Sequence, residues 1–237
     1  MADHVFALGS RGHNFYLLID GNEVTVIDAG CSREWTKLDS GLRANGLRPE
    51  QVSGFMITHV HSDHFGLAKR ASAEEMRVAV HEADEARALG TYTGRFAASV
   101  SELPVLKPTA LWNMLPMVLA GVTGLDHVDS VETFIDGQTL DVPGNPVVVH
   151  TPGHTEGHSM FHCPELGVLF TGDGLITMDL LGSRKGPQMI GDVFNLNTDQ
   201  ALASLDHIVG LEADLLLPGH GDPWSGAPAE AVALIRS

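Results

Sequence analysis

The sequence predicts an α/β protein in which two sheets stack face to face with helices on their outer sides. Three observations predict it. Short β-rich runs alternate with helical stretches along the chain. A weak internal repeat of hairpin, aspartate, helix, apolar strand and histidine ends first at His59 and again at His220. Each strand of that repeat delivers an acidic residue or a histidine at its C-terminal end, and stacked sheets would bring those ends to one edge. A chance match between two common α/β patterns is the competing reading of the repeat.

Taken in order, Phe15–Asp20 and Glu23–Ile27 flank Gly21-Asn22 and read as a hairpin ending at Asp28. Ser32 is placed to cap a helix from Arg33 to about Asn45, which Gly46 stops. The apolar strand Phe55–Thr58 runs into His59. Residues 64–90 read as helix, short strand at Val78–Val80, and helix. An apolar, proline-punctuated insert fills about 91–127, with Leu111–Val122 helical on either side of Pro116. Strands resume at Val131–Ile135 and Val147–His150. A second hairpin follows, Ser159–His162 and Val168–Thr171, ending at Asp173. A helix at Thr198–Val209, a strand at Leu215–Leu217 leading to His220, and a helix near Ala227–Arg236 complete the chain. No Ser/Gly/Pro-rich linker interrupts 1–237, so one domain is expected.

Composition narrows the function. The formal charge is −16 with only 14 basic residues, which repels a phosphate backbone and excludes nucleic acid as an expected partner. The longest apolar stretch, Ala110 to Val122, is too short to span a bilayer, so no membrane association is expected. Two cysteines make no disulfide framework, and Met-Ala-Asp-His-Val-Phe lacks the pattern of a signal peptide. A cytoplasmic location is the expectation. Thirteen histidines are an unusual number beside so few basic residues, and histidine is the commonest metal ligand.

The chemistry concentrates in Thr58-His59-Val60-His61-Ser62-Asp63-His64. If the strand continued, His59 and His61 would share a face, while Asp63 and His64 turn into a helix. That would set nitrogen and oxygen donors around a small volume, as a pair of metal ions requires. The competing reading is a His-rich surface loop. His154 in Thr-Pro-Gly-His-Thr, Asp173 in Thr-Gly-Asp-Gly and His220 in Pro-Gly-His-Gly each follow an apolar strand. Alone, each reads as a loop residue; in this order they are far more specific.

This succession of HxHxDH, TPGHT, GD and PGH, from about Asn14 to Gly221, resembles the metallo-β-lactamase superfamily. The resemblance implies a four-layer αββα sandwich. It implies that His59, His61 and His154 hold one metal ion, that Asp63, His64 and His220 hold another, and that Asp173 bridges them. It places Asp28 as the carboxylate that orients a ligand histidine, with His158 and Thr58 as further supports. His4, His13, His81, His127, His150, His162 and His207 match no motif position and read as ordinary histidines.

Two divalent cations outweigh the charge of Asp63 and Asp173 even with a hydroxide between them, so such a site stays positive and suits a developing oxyanion. The implied reaction is attack of a metal-bridging hydroxide on a carbonyl, with Asp63 both ligand and catalytic residue for the hydroxide proton. Zinc is the default for nitrogen-rich ligation; iron and manganese are the alternatives.

The motif pattern is closest to glyoxalase II and the acyl-homoserine lactonases, since the classical zinc β-lactamases lack an aspartate at the Asp173 position. The short tail after His220 departs from the glutathione-gripping region of glyoxalase II. A small-molecule lactone, ester or thioester with an apolar portion is the first-choice substrate, with β-lactams or phosphoesters as side reactions. The alternatives are an iron-dependent persulfide dioxygenase on the same fold, a β-lactamase proper, and a non-catalytic binding module. The insert is read as a substrate lid, a piece of core or a homodimer interface, and Met178, Leu180, Leu181 and Phe194 as pocket walls, with Arg184 and Lys185 able to steer an anion.

Overall fold

A computed structural model describes residues 4–94 and 107–237. Phe96, Leu103 and Leu106 of the apolar insert lie outside these residues.

The N-terminal half builds a six-stranded sheet in the order β1 (Val5–Gly9), β2 (Asn14–Asp20), β3 (Glu23–Ile27), β4 (Val52–Met56), β5 (Val78–His81), β6 (Glu132–Phe134). Its first three strands are antiparallel neighbours, and β3 through β6 run parallel. The C-terminal half builds a five-stranded sheet ordered β13 (Trp224–Ser225), β12 (Leu215–Pro218), β9 (Val168–Gly172), β8 (Ser159–Cys163), β7 (Val147–His150). A separate hairpin pairs β10 (Ile176–Met178) with β11 (Lys185–Gln188).

The internal repeat is present in this topology. The β2–β3 hairpin is followed by α1 (Trp35–Ala44) and then by β4, parallel to β3. The β8–β9 hairpin is followed, after the β10–β11 hairpin, by α5 (Thr198–Ser204) and then by β12, parallel to β9. In both halves the aspartate follows the last hairpin strand and the histidine follows the parallel strand, so all four positions fall at the C-terminal ends of parallel strands. That is where α/β sheets place their ligands.

Strand alternation explains the layers. Phe15 and Leu17 on β2, Val24 and Val26 on β3, and Phe55 on β4 point outward onto Leu38 and Leu42 of α1 and onto Ala68 and Ala71 of α2 (Ala68–Ala73). Their chain neighbours Tyr16, Leu18, Ile27 and Met56 point the other way, onto Phe161, Phe170 and Leu217 of the second sheet. On that sheet, Met160, Leu169 and Leu216 face outward onto Leu205, Ile208 and, from α6 (Pro228–Arg236), Ala231 and Val232. The result is the αββα sandwich. Fully burying each such large apolar side chain contributes roughly 1.5–3 kcal/mol before entropy is charged. Tyr16 Oη donates to the Pro218 carbonyl at 2.6 Å and ties one sheet to the other directly beside the His220 turn.

Several local expectations are corrected. Ser32 does not cap α1; its hydroxyl donates to the Gly121 carbonyl instead, and the helix begins after Glu34. Pro116 does not divide the insert helix, because α4 (Pro108–Ala120) runs through it. The carbonyl that a proline leaves unpaired there belongs to exposed Trp112, where water can take it. Around α3 (Glu85–Ala88), Arg87 is buried against Asp84 and Glu156. Among the described residues, no helix is long and apolar enough to cross a membrane.

Candidate metal centre

The loop after β4 carries four of the seven expected ligands. His59 and His61 are not on a strand: β4 ends at Met56, and the chain coils so that His61 N–H donates to His59 O (3.2 Å) and His64 N–H to His61 O (3.0 Å). The reason lies in two buried carboxylates. Asp28 accepts from Thr58 N–H at 2.8 Å, and Asp84 accepts from Val60 N–H at 3.0 Å. Side chains thus satisfy amides that a neighbouring strand would otherwise take.

All seven predicted residues converge. His154 Nε2 lies 2.9 Å from His61 Nδ1 and 3.2 Å from His59 Nε2. On the other side, Asp63 Oδ2 lies 3.6 Å from both His64 Nε2 and His220 Nε2. Asp173 stands between the two groups. Its Oδ1 is 3.3 Å from His64, and its Oδ2 is 3.0 Å from His220, 3.4 Å from His154 and 3.9 Å from His59. Five of the seven are at most 2 % exposed, whereas Asp63 keeps 8 % and His61 is only partly buried. The centre therefore opens on the His61–Asp63 side.

Four of the five imidazoles, all but His61, are fixed by their other nitrogen. His64 Nδ1 donates to Asp28 Oδ2 at 2.8 Å, His154 Nδ1 to Asn195 Oδ1 at 2.9 Å, and His220 Nδ1 to the Gly12 carbonyl at 2.5 Å. His59 Nδ1 donates to Thr58 Oγ1, whose own hydrogen goes to Asp28. The Nε2 lone pairs of all four therefore face the centre. His158 is a support: its Nε2 accepts from the amides of Asp173 and Gly174 at 3.1 and 3.0 Å and fixes the turn that presents the Asp173 carboxylate. Burial, reinforced by His154, holds His158 neutral down to about 3.

Gly219 shows how close the approach is. A Cβ there would lie 2.4 Å from Asp173 Oδ1 and 2.6 Å from His64 Cε1, so the residue before His220 has to be glycine.

Other functional residues were missed in the sequence. Asp84 is fully buried and accepts from Thr155 Oγ1 (2.8 Å) and Gly157 N–H (3.0 Å) as well as Val60 N–H, tying the His59–His61 loop to the His154 loop. Nothing in His-Glu-Ala-Asp marks it. Asn195 and the Gly12 carbonyl likewise carry no local signal. His13 is buried on Glu34 at 2.5 Å, and Glu34 also receives Lys37 and Cys31 N–H. His13, Cys31 and Glu34 are close enough to hold an ion, but Lys37 already fills the charge requirement of Glu34, and the group acts as a brace for the Gly12 turn. Of the expected pocket walls, Leu180 is core, packed with Met117 and Ile190, while Met178 lines an open cleft.

The donors fit a pair of metal ions. Two groups, His59–His61–His154 and Asp63–His64–His220, each gather three ligand atoms within 4.8 Å, and Asp173 reaches both. His64 Nε2 and Asp173 Oδ1 are buried without any hydrogen-bond partner, an arrangement costly unless a cation lies between them. Burial is the largest single influence and would lower the pKa of His64 and His220, yet Asp173 and Asp63 together, joined at His64 by Asp28, outweigh it and raise both. That is the signature of a cluster short of positive charge.

The sequence profile of the metallo-beta-lactamase superfamily matches residues 8–220, and the chain belongs to that superfamily. It is 25 % identical over 228 residues to the probable metallo-hydrolase YflN of Bacillus subtilis, covering 92 % of this chain and 80 % of that protein. It is 27 % identical over 180 residues to the atrochrysone carboxyl ACP thioesterase of Aspergillus terreus, covering 73 % of this chain and 43 % of that protein. Among solved structures it is similar to the metallo-beta-lactamase family protein TTHA1429 of Thermus thermophilus, with a TM-score of 0.68, 25 % identity, and 98 % and 78 % of the two chains covered. The fold is shared as well with TTHA1623 in a di-iron-bound form, at a TM-score of 0.61 and 23 % identity over 93 % of each chain.

Proposed function

We propose that the chain is a dinuclear metal-dependent hydrolase of small esters, lactones and thioesters. The observation that carries this reading is Asp173, whose single carboxylate reaches both ligand groups, with Oδ1 beside His64 and Oδ2 beside both His220 and His154. His59, His61 and His154 would hold one ion and Asp63, His64 and His220 the other, with Asp173 shared. Bound there, divalent cations, zinc by preference for this nitrogen-rich set, activate a water near neutral pH and polarise a carbonyl oxygen.

The chain's own groups do the remaining work. His61 and Asp63 line the open side, so the substrate carbonyl enters there. Asp63 turns Oδ2 toward His64 and His220, leaving its other oxygen to take and return the proton of the attacking water. The nearby carboxylates of Asp28, Glu34 and Asp84 are all committed to hydrogen bonds, so Asp63 alone of these four carboxylates is left to handle protons and no second acid among them stands ready for a leaving group. Alkoxides and thiolates leave without such help, amines far less readily. The name of the Aspergillus thioesterase fits that preference.

The test is a panel of lactones, aryl esters, thioesters, phosphoesters and β-lactams with the metal-loaded protein. Esters or thioesters should be turned over fastest, and Asp63→Ala should lower kcat by roughly 10²–10⁴-fold. Near-wild-type rates in that variant, or oxygen consumption on a persulfide without ester hydrolysis, would overturn the reading.

A further inference from the structure

We propose that a cleft built against the His220 loop is a binding site for a carboxylate or phosphate group, with Arg11 as its principal contact. The cleft has a volume of about 610 Å³, within the range of small-molecule sites. Three parts of the fold meet in it: Arg11 from the β1–β2 turn with Asn14 at the start of β2, Thr109 and Trp112 from the first turns of α4, and Lys185 from β11. Gly221, the residue after His220, also lines it, beside Thr177 and Met178 of β10.

Charge argues for an anion. The chain carries 30 acidic residues against 14 basic ones, yet this cleft gathers Arg11 and Lys185 with a single aspartate, Asp222. Lys185 and Asp222 pair at 3.7 Å with both side chains mostly in water, a weak and screened contact. Arg11 has no carboxylate within ion-pair distance among the described residues. Its guanidinium instead stands 4.4 Å over the Trp112 ring, which fixes the plane of the fork and leaves its N–H edges for a bidentate acceptor. The thirteen-residue helix α4 adds to the field: it begins with no side-chain cap and no acidic residue in its first turn, so none of its own described residues there offsets its positive end beside Thr109.

The cleft is mechanically continuous with the metal centre. Asn14 Nδ2 donates to Gly221 O (2.7 Å) and Pro218 O (3.0 Å), and Gly12, next to Arg11, carries the carbonyl that orients His220. The anion is either the far end of the substrate itself, in which case the inference rests on the hydrolase reading, or a separate small acid that adjusts the His220 side of the site.

The experiment uses the metal-loaded protein and two thioesters matched in length, one acyl chain ending in methyl and the other in carboxylate, together with free glutarate. If the anion belongs to the substrate, the carboxylate-ended thioester has the higher kcat/KM, and Arg11→Gln reduces that preference about tenfold. If it is a separate molecule, glutarate changes turnover of the methyl-ended thioester in wild type and loses that effect in Arg11→Gln. Tryptophan fluorescence on glutarate titration gives a readout free of turnover, since Trp112 lies under Arg11; a saturable change in wild type that Arg11→Gln abolishes supports the site. The surface substitution Arg43→Gln removes the same charge elsewhere. The proposal is overturned if glutarate gives no saturable signal and Arg11→Gln leaves the preference intact, or if Arg43→Gln acts as strongly. Failure of both thioesters to turn over would strike thioesters from the hydrolase reading, and the fluorescence titration would still decide the anion site.

Discussion

Asp28 and His64 are joined by a 2.8 Å hydrogen bond while Asp28 holds the left-handed backbone conformation, φ 62°, at the end of β3. The same carboxylate also accepts from Thr58 N–H and Oγ1–H. One side chain therefore sets the ring of His64 and, through Thr58, the ring of His59, each in a different ligand group.

Asp28→Asn tolerates the left-handed backbone and keeps one acceptor oxygen, but it cannot serve His64 and Thr58 together as an anion. Metal affinity should fall roughly 10–100-fold with little loss of folding stability. Competition with a chelator, followed by metal content, measures it; unchanged affinity would show that His64 needs no oriented partner.

Asp84 is the brace of the other group. Asp84→Ala would leave Val60 N–H, Gly157 N–H and Thr155 Oγ1–H without their buried acceptor and would remove one of the carboxylates against Arg87. A loss of roughly 3–5 kcal/mol in denaturant unfolding is expected, as for breaking a buried ion pair from one side. A loss below about 1 kcal/mol would mean that water replaces the carboxylate.

The contrast between these residues and the ligands shows what a sequence reveals. The seven proposed ligands are legible because His59, His61, Asp63 and His64 fall within six residues and His154, Asp173 and His220 each sit in a short motif after an apolar strand, and Asp28 because it ends a recognisable strand. Asp84, Asn195 and the Gly12 carbonyl are not, since each acquires its role only when segments far apart in the chain meet. The stacked sheets were legible from the repeated order of hairpin, helix and strand, and the αββα layering from the resemblance. The strands β1, β10, β11 and β13 were not, because they are short and their pairing partners, not their own composition, make them strands. Ser32 failed as a cap because Gly121, brought up by the insert, offered its hydroxyl a better partner.

Gly219→Ala tests the packing of the centre. The added methyl would meet the Asp173 carboxylate and the His64 ring at distances no Cβ adopts. The variant should keep its circular dichroism spectrum and bind substantially less metal. Full metal occupancy would show that the PGH turn yields without cost.

Acid sensitivity follows from His81, stacked on His150 at 3.9 Å. Burial, and after it the nearness of His150, lowers its pKa from 6.5 to about 4. Between those values the unfolded chain binds a proton that the folded chain refuses. Stability therefore falls as pH drops from about 6.5 toward 4, and this group costs nothing further below that. His81→Asn should flatten the dependence of Tm on pH between 7 and 5. An unchanged slope would remove His81 from the account.

The central claim is that two cations sit among seven named side chains. Anomalous diffraction from metal-loaded crystals, with metal quantified on the same protein, tests it most directly. Two ions per chain are expected, one among His59, His61 and His154, one among Asp63, His64 and His220, with Asp173 touching both. A single ion per chain, or ions bound away from Asp173, would contradict it.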